Sequence, residues 1–190
     1  PLESGRIQIS RAARQAEFSR DQGLRLRGDL PRRKGSEAIC HNAILDDTAE
    51  PGQLIVGSDS HTPHAGAIGA FAFGVGTTAI ASSWLTRDVR IAVPPTIRVH
   101  VDGRLRPGLA AKDLILEILH HPFIREGGAL GKVVEYAGEA VRALSVDERA
   151  TLTNMAAEIG AFTGIVAPDE KCIDFLVARR DMDEEEARAL

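Results

Sequence analysis

The sequence predicts an α/β fold, and three observations carry that prediction. Short apolar or branched runs at Leu54-Ile55-Val56, Thr96 to Val101, Lys132 to Tyr136 and Gly164 to Val166 read as strands. Helix-patterned segments alternate with them, the clearest beginning at Ser145. A polar stretch, Gly57-Ser58-Asp59-Ser60-His61-Thr62-Pro63-His64-Ala65-Gly66, follows directly on the first of these runs. Reactive groups at the carboxyl end of a strand are where open α/β sheets place their sites.

The elements follow in chain order. Ser10 to Gln22 suits a helix stopped by Gly23, and Leu24 to Ser36 is a basic loop carrying Arg25, Arg27, Arg32, Arg33 and Lys34. Ala38 to Leu45 is an apolar run interrupted by His41 and Asn42, and its length suits either a strand or two helical turns. Asp46 to Gly52 turns the chain, and Gln53 to Val56 enters the polar loop as a strand. Ala65 to Ser83 is small and apolar, as expected of a helix packed tightly on a sheet. Pro94-Pro95 breaks the chain, Thr96 to Val101 is a strand, and Asp102-Gly103 turns it as a hairpin would.

Pro107-Gly108 suggests a domain boundary, with 1–106 ending one α/β domain and 107–190 forming part of a second. Ala111 to Leu119 is helical, Gly127 to Gly131 is a glycine loop, and Lys132 to Tyr136 is a strand. Ser145 and Glu148 fit a capping box, and Leu152, Met155, Ala156 and Ile159 form a core-facing stripe up to Gly160. On that helix Asn154 and Glu158, four apart, share a face. A strand at Gly164 to Val166, a helix from Pro168-Asp169 through Arg179 and an acidic terminal helix complete the chain.

Composition excludes some functions. Hydrophobic residues make up 44% of the 190, but aromatics only 4%, so the core must be built from Ala, Val, Ile and Leu. A net charge of −4 argues against binding nucleic acid through its phosphates. No run approaches the ~18 apolar residues of a membrane span. No signal peptide is visible, so the expected localisation is cytoplasmic, with neither membrane nor nucleic acid as partner. Cys40 and Cys172 have neither metal-ligand spacing nor a disulfide framework, and buried free thiols are expected.

The polar loop admits more than one chemistry. Asp59, His61 and His64, with His41 upstream, are suitable metal ligands. The same residues can form carboxylate–imidazole pairs for acid/base work, and a plain structural turn is the third reading. Gly66, Gly69, Gly74 and Gly76 lack the Gly-Lys-Ser/Thr of a phosphate loop, which leaves close packing as their purpose. Cys40 beside His41 could form a thiolate, but a buried thiol is the simpler reading. His100, His120 and His121 receive no role.

Taken together, Gly57-Ser58-Asp59-Ser60-His61-Thr62-Pro63 and the downstream Phe73-Gly74-Val75-Gly76 resemble the aconitase family, which includes aconitase, homoaconitase and the large subunit of 3-isopropylmalate dehydratase. Ile39-Cys40-His41 looks like that family's earlier histidine segment, and Thr153 to Gly160 like its Asn/Glu helix. Pro168-Asp169-Glu170-Lys171 is similar to the isopropylmalate and homoaconitase branch. The resemblance covers roughly residues 36 to 180. It implies a three-layer αβα fold forming part of the family's cluster-binding body.

The resemblance also implies a hydro-lyase acting on a hydroxy di- or tricarboxylic acid, with a [4Fe-4S] cluster as Lewis acid. By that likeness His41 pairs with Asp59 and His61 with Glu158 as the catalytic groups. Ser60 binds substrate, and Asn154 contacts the cluster region. The family's cluster cysteines, its early Asp-His segment and its swivelling domain or small subunit have no counterpart in this sequence. The expectation is therefore an internal piece of a larger enzyme that binds no cluster and turns nothing over alone. Aconitate hydratase is the alternative within the family. Outside it stand a mononuclear metal hydrolase using His41, Asp59, His61 and His64, and a truncated, non-catalytic assembly module.

Overall fold

The computed structural model of the protein describes residues 7–9 and 39–190. The helix and basic loop expected over residues 10–36 lie outside them. The first sheet contains β1 (Ile7–Ile9), β2 (Leu54–Gly57) and β3 (Phe71–Gly74) in that order. All its pairings are parallel, with Leu54 opposite Phe71 and Gly57 opposite Gly74. Helix α1 (Cys40–Asp47) precedes β2, a 3-10 helix (Thr62–Ile68) joins β2 to β3, and α2 (Thr77–Thr86) follows.

The period-two alternation of these strands builds layers on both faces. Ile55 and Ala72 face Leu45 of α1, Ile68 of the 3-10 helix, and Phe175 and Leu176 of α7 (Glu170–Arg180). Leu54, Val56, Phe71 and Phe73 face Ile80 and Trp84 of α2 on the other side. Helices thus cover both faces of a parallel sheet, which is the α/β arrangement the sequence predicts.

The second sheet is β4 (Thr96–His100), β5 (Val133–Ala137) and β6 (Thr163–Val166), again parallel throughout. Between its strands run α3 (Ala111–His120), α4 (Pro122–Arg125), α5 (Glu139–Ala143) and α6 (Val146–Asn154). Val134 and Tyr136 pack against Ile115 and Ile118 of α3, Val141 of α5 and Leu152 of α6. The Pro107-Gly108 turn, where the sequence suggests a domain boundary, lies within the span of this sheet: β4 precedes it while β5 and β6 follow.

The sheets meet closely. Thr163 Oγ1 donates to the Ala72 carbonyl, and the Phe73 and Phe162 rings lie 4.8 Å apart. Gly66 of the 3-10 helix packs on β6 so tightly that a Cβ there would sit 2.0 Å from the Gly164 oxygen. Helix α6 starts with the expected capping box: Ser145 Oγ accepts from Glu148 N at 3.2 Å, and Glu148 Oε2 accepts from Ser145 N at 2.8 Å. Asp169 caps α7 by accepting from Lys171 N at 3.1 Å, and Asp183 caps α8 (Glu184–Ala189) through Glu185 N at 2.8 Å. Asp169 also takes both terminal nitrogens of the fully buried Arg149, at 2.8 and 2.6 Å.

Four expectations are corrected. Ala65 to Ser83 is not one helix, because Phe71 to Gly74 is captured by parallel pairing with β2. Asp102-Gly103 does not form a hairpin, since β4 pairs in parallel with β5 and the chain must cross over between them. The Ser145 helix stops at Asn154 rather than at Gly160, and residues 155–160 continue as tight turns closed by bonds such as Glu158 N to Met155 O at 3.2 Å. Cys40 is exposed at the outer end of α1, whose buried side is Leu45, and only Cys172 is buried.

Candidate active site

The site grows from the carboxyl end of β2. There the chain leaves the sheet at Gly57, and β3 ends beside it, with Val75 N donating to Gly57 O at 2.8 Å. Gly74 lets the two loops approach, because a Cβ there would lie 2.4 Å from the Asp59 carbonyl oxygen. That carbonyl accepts from Thr62 N at 3.2 Å and from Thr62 Oγ1 at 2.7 Å, closing the turn that starts the 3-10 helix. Asp59 and His61 are thereby held on the same rim.

Asp59 Oδ1 accepts from the His61 backbone N–H at 2.8 Å and lies 3.0 Å from His41 Nε2. The His61 N–H bond is the main reason its carboxyl is held below the usual aspartate range; partial burial opposes this, and the His41 and His61 imidazoles assist. His41 stands on the first turn of α1 with only 11% of its side chain exposed, whereas Asp59 is 55% exposed. The ring is thus sheltered and its carboxylate partner open to solvent.

His61 Nε2 lies 3.1 Å from Glu158 Oε1, across 97 residues of sequence. Its other nitrogen, Nδ1, is 3.3 Å from Ser60 Oγ and 3.4 Å from Asp59 Oδ1. With Nε2–H donated to Glu158, the neutral ring accepts the Ser60 hydroxyl proton at Nδ1; once protonated there, it faces Asp59. The rings of His41 and His61 are 6.5 Å apart, and those of His41 and His64 are 6.3 Å apart. Two carboxylate–imidazole pairs therefore converge on one rim, an arrangement able to hold and move protons.

Beside this rim opens a cleft of about 500 Å³, lined by Ser58, Asp59, Ser60, Val75, Ala157 and Phe162 among others. Asn154 is not one more contact on the Glu158 face: its Nδ2 lies 3.2 Å from His64 Nδ1, and the preceding Thr153 Oγ1 donates to His64 O at 3.0 Å. Sequence reasoning missed this partnership, because nothing local ties residue 64 to residue 154. The side chains of His100 and His121 serve nearby groups, Asp102 at 2.9 Å and the Phe123 N–H at 3.3 Å.

Among the described residues no three His, Cys, Asp or Glu side chains are arranged to hold a metal ion. The His41, Asp59, His61 and His64 set is thus spent on hydrogen bonds with one another, Glu158 and Asn154. Partial burial, and secondarily the Asp59 charge, push the Cys40 thiol up, which disfavours a reactive thiolate. Among the described residues no helix is long and apolar enough to cross a membrane.

Comparison with known proteins gives the family of the chain. The family described as "Aconitase family (aconitate hydratase)" matches residues 7–189. The 3-isopropylmalate dehydratase large subunit 1 of Pyrococcus furiosus is 42% identical over 165 residues, covering 86% of this chain and 37% of that protein. The probable methanogen homoaconitase large subunit of Methanosarcina mazei is 47% identical over 144 residues, covering 75% of this chain and 36% of that protein. The 3-isopropylmalate dehydratase large subunit of Anaeromyxobacter dehalogenans is 47% identical over 130 residues, covering 68% of this chain and 27% of its own length. The chain thus spans little more than a third of the length of the first two of these relatives. A match running through nearly every residue, together with relatives more than 40% identical over most of the chain, makes this chain a member of the aconitase family.

Proposed function

We propose that the protein belongs to a hydro-lyase that dehydrates and rehydrates a hydroxy di- or tricarboxylic acid, with 3-isopropylmalate or homoaconitate as substrate class and amino-acid biosynthesis in the cytoplasm as setting. The observation that carries this reading is the convergence of two histidine–carboxylate pairs on the rim formed by the loop after β2: His41 of α1 reaches Asp59, and Glu158 from the turns after α6 reaches His61. Dehydration needs a proton delivered to a departing hydroxide, which is a poor leaving group. An imidazole backed by a carboxylate supplies that proton, because the carboxylate favours the charged ring and fixes its orientation.

In this reading His61 and His41 are the proton-holding groups, and Asp59 and Glu158 keep each ring in one tautomer. Ser60, 3.3 Å from His61 Nδ1, binds the substrate or passes its hydroxyl hydrogen bond to the ring. Asn154 borders the cofactor region. Aconitase-family members generally bind a [4Fe-4S] cluster, which would supply Lewis-acid chemistry in the complete enzyme. The described residues do not fit as its ligands: Cys40 is exposed on α1, while Cys172 is buried beside Arg149. Cluster cysteines and the swivelling domain are assigned to further chain or to a small subunit, in keeping with the large-subunit names of the relatives.

The test is to express the complete encoded polypeptide with a small subunit and reconstitute iron and sulfide anaerobically. The visible spectrum and the turnover of 3-isopropylmalate, homoaconitate and citrate are then recorded. A cluster spectrum with 3-isopropylmalate or homoaconitate consumed is the expected result. Consumption of citrate alone would move the protein to the aconitate hydratase branch, and a cluster-bearing protein that consumes none of the three would end the reading.

A further inference from the structure

His64 belongs to neither histidine–carboxylate pair, yet it is held from two sides by consecutive residues of α6. Thr153 Oγ1 donates to its carbonyl oxygen at 3.0 Å, and Asn154 Nδ2 lies 3.2 Å from its Nδ1. An amide nitrogen can only donate, so Nδ1 keeps its lone pair and the proton of the neutral ring sits on Nε2. Burial, and secondarily the His41 imidazole, lower the His64 pKa to about 4, outweighing the opposing pull of Asp147. The ring therefore stays neutral at neutral pH. It stands 6.3 Å from the His41 ring, inside the same cluster of imidazoles. Among the described residues no group bonds Nε2, and the His64 residue is half-buried rather than fully enclosed.

We propose that His64 is a substrate-binding residue of this site, whose Nε2–H donates to a carboxylate or hydroxyl oxygen of the bound hydroxy acid, with Asn154 setting the ring. The proposal rests on the dehydration reading above. His41 and His61, each backed by a carboxylate, are built to take up and release protons. A neutral imidazole whose acceptor nitrogen is already engaged has the opposite character, holding an oxygen while keeping its own proton. The three rings then divide the work between proton transfer and orientation, and orientation brings the reacting bond to the proton donors.

The experiment uses the complete polypeptide with its small subunit, and 3-isopropylmalate as probe. In the metal-free, ¹⁵N-histidine-labelled protein, long-range ¹H–¹⁵N correlations are expected to find His64 as the Nε2–H tautomer. In the reconstituted protein, His64→Leu is expected to weaken calorimetric binding of the probe about tenfold or more, as for loss of a hydrogen bond to a charged group. KM rises in parallel and kcat changes less. His64→Gln, whose amide can accept from Asn154 and still donate to the ligand, restores most of the affinity. An Nδ1–H ring, or a His64→Leu protein that binds the probe as tightly as the parent, overturns the proposal. If His64→Leu does not fold, the tautomer together with the His64→Gln affinity decides. A parent protein that binds the probe through His64 but consumes no hydroxy acid overturns the dehydration reading and leaves the binding assignment standing.

Discussion

His61 Nε2 and Glu158 Oε1 are 3.1 Å apart although 97 residues separate them in the chain. One residue caps the 3-10 helix after β2, and the other lies in the turns that follow α6. The contact exists because α6 packs on the 3-10 helix, with Thr153 and Asn154 both bonded to His64. The pair is thus a direct product of how the second half of the chain closes over the first.

Glu158→Gln keeps the size of the side chain and its hydrogen-bonding capacity but replaces the carboxylate that holds His61 Nε2 with a neutral amide. We expect kcat to fall by about 10²–10⁴-fold, the usual range for loss of a general acid/base function, with a much smaller change in KM. Steady-state turnover of 3-isopropylmalate by the complete enzyme checks this. An unchanged kcat would remove His61–Glu158 from the chemistry.

Stability should depend on pH through His64. Its unfolded pKa is 6.5, and burial lowers the folded value to about 4. Between these values the unfolded state binds the extra proton, so the stabilising effect is fully present above pH 6.5 and is lost as pH falls toward 4. Urea unfolding across this window should show stability falling with acidity, and His64→Gln should flatten that slope. Asp59, whose carboxyl is held low chiefly by the His61 N–H, adds a loss only below the ordinary aspartate range.

Asp169→Ala should be costly, because it strands the fully buried guanidinium of Arg149 and uncaps α7. Removing one partner of a buried ion pair costs about 3–5 kcal/mol. Adding Arg149→Met to that variant should recover part of the loss, since the unpaired charge goes with it. Denaturant midpoints of the single and double variants measure the difference; a double variant weaker than Asp169→Ala would refute the account.

Gly66→Ala should destabilise the contact between the sheets. Its Cβ would meet the Gly164 carbonyl at 2.0 Å, a backbone atom that cannot move without disturbing β6. Overpacking of this kind costs about 1–3 kcal/mol. A Tm equal to that of the parent would show that the 3-10 helix can shift away from β6.

How much of this was legible in the sequence differs element by element. The Ser145–Glu148 box and the Asp169 cap are local, so their residues announce them. The Phe71–Gly74 strand was hidden in a run of small apolar residues, because a strand of four residues is defined by its neighbour and not by its own period. The hairpin reading of Asp102-Gly103 failed for the same reason: a turn residue marks where a chain bends, not which strand it then meets. The pairings of His41 with Asp59 and His61 with Glu158 were implied by family resemblance, while the residues alone offered metal, acid/base and structural readings together.

The sequence by itself determined the α/β class, the polar loop at the end of β2 and the starts of α3, α6, α7 and α8, because short-range periodicity and capping are written in neighbouring residues. The tertiary structure alone decided that both sheets are parallel, that Cys40 is exposed, and that Asn154 reaches His64 rather than sharing a helix face with Glu158. Those outcomes depend on contacts between residues far apart in the chain, such as Gly66 on Gly164 and Thr163 on Ala72, whose energies no local window contains.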